Sequence, residues 1–129
     1  MPTVGGEAAG LTTVDFLDTE RGIVFGGVIG QDTVFVDNVA VTSDGGRLWM
    51  LGGRPSMRGP VYGSSWVPGS PVTTVFVVGP GGANYSTDGG LTWATAAHET
   101  YWAVSFVSPG AGWAVGPEGR ITRFGFEGE

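Results

Sequence analysis

The chain has no cysteine, no lysine, one histidine and no long apolar run, and each absence removes a class of function. Without cysteine there is neither a disulfide framework nor a thiolate metal site, and the redox compartment is left open. The acidic residues are dispersed and lack the closely spaced D-x-D-x-D ligand pattern of a calcium loop, so no metal site is expected; nor is a cofactor expected. Six arginines against twelve acidic residues give a net charge of −6, which argues against nucleic acid or an anionic membrane surface as the main partner, because both select basic patches. No segment approaches the roughly 18 apolar residues of a membrane span. The first residues lack the basic and apolar regions of a signal peptide, and localisation stays open because a removed signal leaves no trace.

What the chain has in quantity is glycine, 25 of 129 residues, with 8 prolines and prominent Val, Thr, Phe and Trp. That mixture favours many short strands joined by tight turns, with very little helix. A chain of this length suits one domain, residues 1–129, with a modest core. The strongest organising signal is a repeat. Ser86-Thr87-Asp88-Gly89-Gly90-Leu91-Thr92-Trp93 recurs 44 positions earlier as Thr42-Ser43-Asp44-Gly45-Gly46-Arg47-Leu48-Trp49. A period in the range of about 20–50 residues marks an array of small units that cannot bury their apolar faces singly. Within the octet, Asp followed by Gly-Gly is turn chemistry: the carboxylate accepts from nearby backbone N–H groups and glycine takes positive φ. Trp49 and Trp93 then each offer a large apolar surface to a neighbouring unit.

These octets resemble the Asp box, the S/T-x-D-x-G-x-x-W hairpin of bacterial-neuraminidase-repeat β-propellers, through Thr42, Asp44, Gly46 and Trp49 and through Ser86, Asp88, Gly90 and Trp93. The resemblance implies four-stranded antiparallel blades. Read in that frame, the first blade (11–53) has strands over Leu11–Leu17, Gly22–Ile29, Val34–Val41 and Arg47–Leu51. The second (54–97) has Val61–Val67, Val72–Val78, Ala83–Ser86 and Leu91–Ala96, and the third (98–124) has Trp102–Val107, Gly112–Val115 and Arg120–Phe124 with no fourth strand. In the third blade, Trp102-Ala103-Val104-Ser105-Phe106, Gly112-Trp113-Ala114-Val115-Gly116 and Gly119-Arg120-Ile121 resemble blades of photosystem II assembly factor-like propellers and their bacterial relatives.

Three blades do not close a ring, since propellers have about 4–8. Two completions stay open. Met1–Val4, within a possible closing strand over 1–5, could complete the third blade of a second copy and make a homodimeric six-bladed ring, or the chain is part of a longer propeller.

In the propellers that the chain resembles, the turns between the third and fourth strands of each blade, where the octets fall, lie on one face and ligands usually on the other. Asp44 and Asp88 are therefore expected to be structural. The opposite face collects Gln31, Asp32, Arg54, Arg58, Pro80–Gly82, His98, Glu99, Tyr101, Trp102 and Glu118. Arg54 and Arg58 can fork onto a carboxylate or phosphate, although surface arginines commonly just cover apolar surface. The site candidates are Arg54, Arg58, His98, Glu99, Tyr101, Trp102 and Glu118, none with a catalytic role. A sialidase would need an arginine triad, a Tyr/Glu pair and an acidic aspartate, and no Arg-Ile-Pro motif accompanies the octets. The expected function is a non-catalytic binding or scaffold module for a protein or carbohydrate, the alternative being a sialidase-like glycoside hydrolase fragment whose site needs further blades.

Overall fold

The structure, a computed structural model, describes residues 9–28, 30, 39–70 and 72–126. Among the described residues, eleven strands form three antiparallel sheets, each ordered in space as in sequence. The first holds β1 (Ala9–Phe16), β2 (Gly22–Val28), β3 (Val39–Thr42) and β4 (Met50–Leu51). The second holds β5 (Gly63–Trp66), β6 (Val75–Gly79), β7 (Gly82–Ser86) and β8 (Ala94–Ala97). The third holds β9 (Ala103–Ser108), β10 (Ala111–Val115) and β11 (Ile121–Phe124), and among the described residues no fourth strand pairs with it. This is the up-and-down connectivity of propeller blades. The expected closing strand over 1–5, residues 34–38 of the expected third strand, Gln31 and Asp32 lie outside the described residues.

The two octets fold alike, around the hydroxyl and the carboxylate together. Ser86 Oγ accepts from the Asp88 and Gly90 amides (3.3 and 2.9 Å) and donates to Asp88 Oδ1 at 2.7 Å. Thr42 Oγ1 makes the same three bonds with Asp44 and Gly46. Gly45 and Gly46 sit at φ 75° and 92°, Gly89 and Gly90 at 75° and 99°, a left-handed pair that side chains resist. Asp44 Oδ1 then accepts from Leu48 N, and Asp88 Oδ1 from Leu91 N and Thr92 N. These amides are spent in the turn, so the fourth strands begin three residues later than expected from sequence, at Met50 and Ala94.

Those bonds hold the Asp88 carboxyl down at about 2, through Ser86 and Thr92 above all. A depressed carboxylate stabilises the fold above its unfolded pKa, near 4, and the contribution is lost as pH falls towards 2. Because Asp88 is exposed while Ser86 is buried, Ser86→Ala is expected to cost about 2 kcal/mol and Asp88→Ala nearer 1. Thermal melts at neutral pH check the order. The Asp88 penalty should vanish in melts near pH 2, and a larger penalty for Asp88 than for Ser86 would contradict this account.

Two apolar layers join the sheets. Between the first and second lie Ile23, Phe25, Val39, Met57, Val61, Trp66, Val75 and Val77, with Trp93 edge-on to Phe25 at 5.9 Å. Trp93 Nε1 and Trp66 Nε1 also donate across this layer, to the carbonyls of Gly53 and Asp15. Between the second and third lie Phe76, Val78, Ala83, Tyr101, Phe106 and Ala114, backed by Phe124 and Phe126. Ser65 Oγ crosses it to accept from Phe106 N at 3.0 Å. Tryptophan and phenylalanine rings thus supply much of the packing surface between blades.

Candidate functional site

Antiparallel connectivity sends alternate connections to opposite ends of the sheets. The octet turns share one end with the β1–β2, β5–β6 and β9–β10 turns, while the β4–β5, β6–β7, β8–β9 and β10–β11 connections occupy the other. At that second end the long connection over 52–62 folds back on the tight Pro80–Gly81 turn, leaving a cleft of about 410 Å³. Ser56, Met57, Arg58, Pro80, Gly81, Thr95, Ala97 and His98 line it.

The residue that fixes this cleft is Asn84, fully buried on β7. Its Oδ1 accepts from Ser56 N (2.6 Å), Ser56 Oγ (2.8 Å) and Met57 N (3.1 Å), and its Nδ2 donates to the Ala83 carbonyl at 2.8 Å. Ser56 Oγ lies 3.0 Å from Thr95 Oγ1, so the loop is tied to β8 as well as β7. Arg58 follows directly on this anchored segment. Asn84 escapes sequence reading because its partners lie 27 and 28 residues away; the only local signal is an asparagine where a strand favours apolar or β-branched residues.

The sequence candidates divide. Arg58 and His98 share the cleft. Arg54, Glu99, Trp102 and Glu118 are exposed at the same end but outside its lining. Tyr101 is 2% exposed and belongs to the core, its hydroxyl donating to Thr122 Oγ1 at 2.8 Å, so its ring offers no ligand platform. Aromatic type alone could not separate a core ring from a surface one. Arg120, which sequence reading left aside, is committed to structure: it donates to the Thr100 carbonyl at 2.8 Å and lies 5.8 Å from the centre of the Tyr101 ring. Thr100 Oγ1 in turn donates to the Pro80 carbonyl, linking the β10–β11 end to the cleft's rim.

Glu118 sits in a short 3₁₀ turn at Pro117–Gly119 with φ 61° and ψ 29°, the left-handed conformation that a non-glycine residue adopts at a cost. Glu118→Gly is expected to raise stability by about 0.5 kcal/mol, relief of strain exceeding the added chain entropy. Chemical denaturation checks it, and a loss would mean that the Glu118 side chain makes a stabilising contact.

A second groove, of about 330 Å³, runs between the two octet turns at the opposite end, over Val41, Leu48, Met50, Trp66 and Leu91. It is largely apolar. The Asn84-anchored cleft instead gathers a guanidinium, an imidazole and two hydroxyls, and its described lining contains no carboxylate. Such a set is chemically suited to an anionic or hydrogen-bond-accepting group. Among the described residues no group of three His, Asp or Glu could hold a metal ion.

No protein-family model and no curated protein matches the chain. A solved structure does: YCF48, a photosystem II assembly factor with a β-propeller fold, bound to a D1 peptide. The two chains are 19% identical with a TM-score of 0.69, over 95% of this chain and 37% of that one. The fold is that of β-propeller blades. This chain therefore spans well under half the length of the propeller it resembles. No helix among the described residues is long and apolar enough to cross a membrane.

Proposed function

We propose that the protein is a non-catalytic binding module that recognises an anionic segment of a partner protein on the end opposite the octet turns. The observation that carries this reading is the cleft itself, lined by both Arg58 and His98 and bordered by a loop held by three hydrogen bonds to Asn84. Preorganisation of that kind lowers the ordering cost of binding. The propeller of like fold, YCF48, is bound to a peptide, which supports a protein rather than a small molecule as the ligand class. A carbohydrate is the second reading, favoured by Trp102, which is half exposed at the same end of the sheets. A second copy of this chain is a further partner in the same reading, as the source of blades around this end.

The test is fluorescence anisotropy with acidic peptides, each offered with a free and with an amidated C-terminus, beside a glycan array. Arg58→Ala should weaken peptide binding about tenfold or more, the scale of a lost charge-assisted hydrogen bond. Binding of glycans alone would shift the reading to a lectin. Peptide affinity indifferent to Arg58 and His98 together would remove the cleft as the site.

A further inference from the structure

The faces that blades turn towards one another can be matched position by position, because the three sheets share one register. Ile23 pairs with Asp15, Phe76 with Ser65 and Trp113 with Ser105; Phe25 pairs with Thr13, Val78 with Gly63 and Val115 with Ala103. On the third strands, Val39, Ala83 and Ile121 are equivalent in the same way. In the first two sheets these positions are at most 1% exposed, each covered by the next sheet. In the third sheet Trp113, Val115 and Ile121 are 50%, 42% and 70% exposed.

The first sheet shows the converse. Phe16, Trp66 and Phe106 are equivalent residues facing the preceding sheet, through their pairings with Gly22, Val75 and Gly112. Trp66 and Phe106 are buried, whereas Phe16 is 41% and its neighbour Val14 61% exposed. Trp49, equivalent to Trp93, packs edge-on against Phe16 on this same face. A monomer that left both surfaces to water would carry two large apolar patches at opposite ends of one stack.

We infer that these two faces bind each other between two copies of the chain, the third sheet of one against the first sheet of its partner. The occupant is a second copy because this chain already makes that contact twice within itself, between sheets one and two and between two and three. The first sheet is shaped to cover a face of the kind that the third sheet presents. The contact is heterologous and each copy carries one of each face, so two copies close on themselves where three sheets together turn through half a circle. A six-bladed ring turns about 60° per blade, three blades making a half circle, and six lies within the range of known propellers. The interface is stacking of sheet faces and requires no exchanged strand. Closure also brings the clefted ends of both copies around one axis.

The experiment is solution mass by sedimentation equilibrium across a wide concentration range. The expected species has twice the 13.3 kDa of one chain. Ile121→Glu and Val14→Lys should each shift the population to monomer, and since both residues are more than 60% exposed in the single chain, neither should disturb its folding or its circular dichroism. Mixing the two variants should restore dimer, because one of the two interfaces then contains only native faces. A monodisperse wild-type monomer, an open polymer, or a dimer untouched by both variants would overturn the inference. So would a longer polypeptide whose own further blades cover both faces.

Discussion

Phe76→Ala is expected to cost about 3–5 kcal/mol, a large part of the margin of an ordinary domain. The ring is 1% exposed and lies in the middle of the layer between the second and third sheets. It stands 5.1 Å from Phe106, 4.8 Å from Phe124 and 6.4 Å from Phe126, centre to centre, so one truncation removes contacts with β9, β11 and the segment beyond. The space left would be walled by the rings of Phe106, Phe124 and Phe126, which lose their central partner together. Urea denaturation followed by fluorescence reads it. The informative control is Trp113→Ala, the matching position one sheet on. If the third sheet's outer face stays in water, that substitution removes a half-exposed ring and its contact with Arg123, and costs about 1 kcal/mol. A cost that approaches that of Phe76, and that grows with protein concentration, would show the face covered by a second copy.

Much of the fold can be read from residues 42–49 and 86–93 alone, because turn chemistry is local: hydroxyl, carboxylate and paired glycines close their hydrogen bonds within four residues. Strand order follows for the same reason, since short turns force each strand beside the last. The strand starts are less legible. Arg47, Leu48 and Leu91 look like strand residues, yet the turn aspartates bind the amides of Leu48, Leu91 and Thr92 before the ladder can. The site is the least legible part. Arg58 and His98, 40 positions apart in sequence, meet in one cleft while Glu99, next to His98, stays outside it. Tyr101 and Trp102 are adjacent aromatic residues of which one is core and the other is half exposed. Loop packing over distances of 20 to 40 residues decides both cases, and no local pattern encodes it.

Asn84→Ala is expected to cost about 3 kcal/mol, because it strips the acceptor from two backbone amides, that of Met57 buried and that of Ser56 partly so. Ser56 Oγ can turn to Thr95 Oγ1, but Ser56 N and Met57 N have no second acceptor within hydrogen-bond distance among the described residues. The segment carrying Arg58 should therefore lift from β7. Two readouts then separate the structural from the positioning role. Thermal melts should fall by several degrees, the shift that a loss of this size produces in a domain of this length. Peptide affinity measured well below the melting range, where essentially all molecules are folded, should still fall about tenfold, because Arg58 has lost its preorganised mount. Val78→Ala provides the comparison: a core truncation on the neighbouring strand should lower the melt by a similar amount and leave affinity unchanged. Were both variants to retain full affinity at low temperature, Asn84 would be a core residue only, and the loop's attachment would not matter to binding.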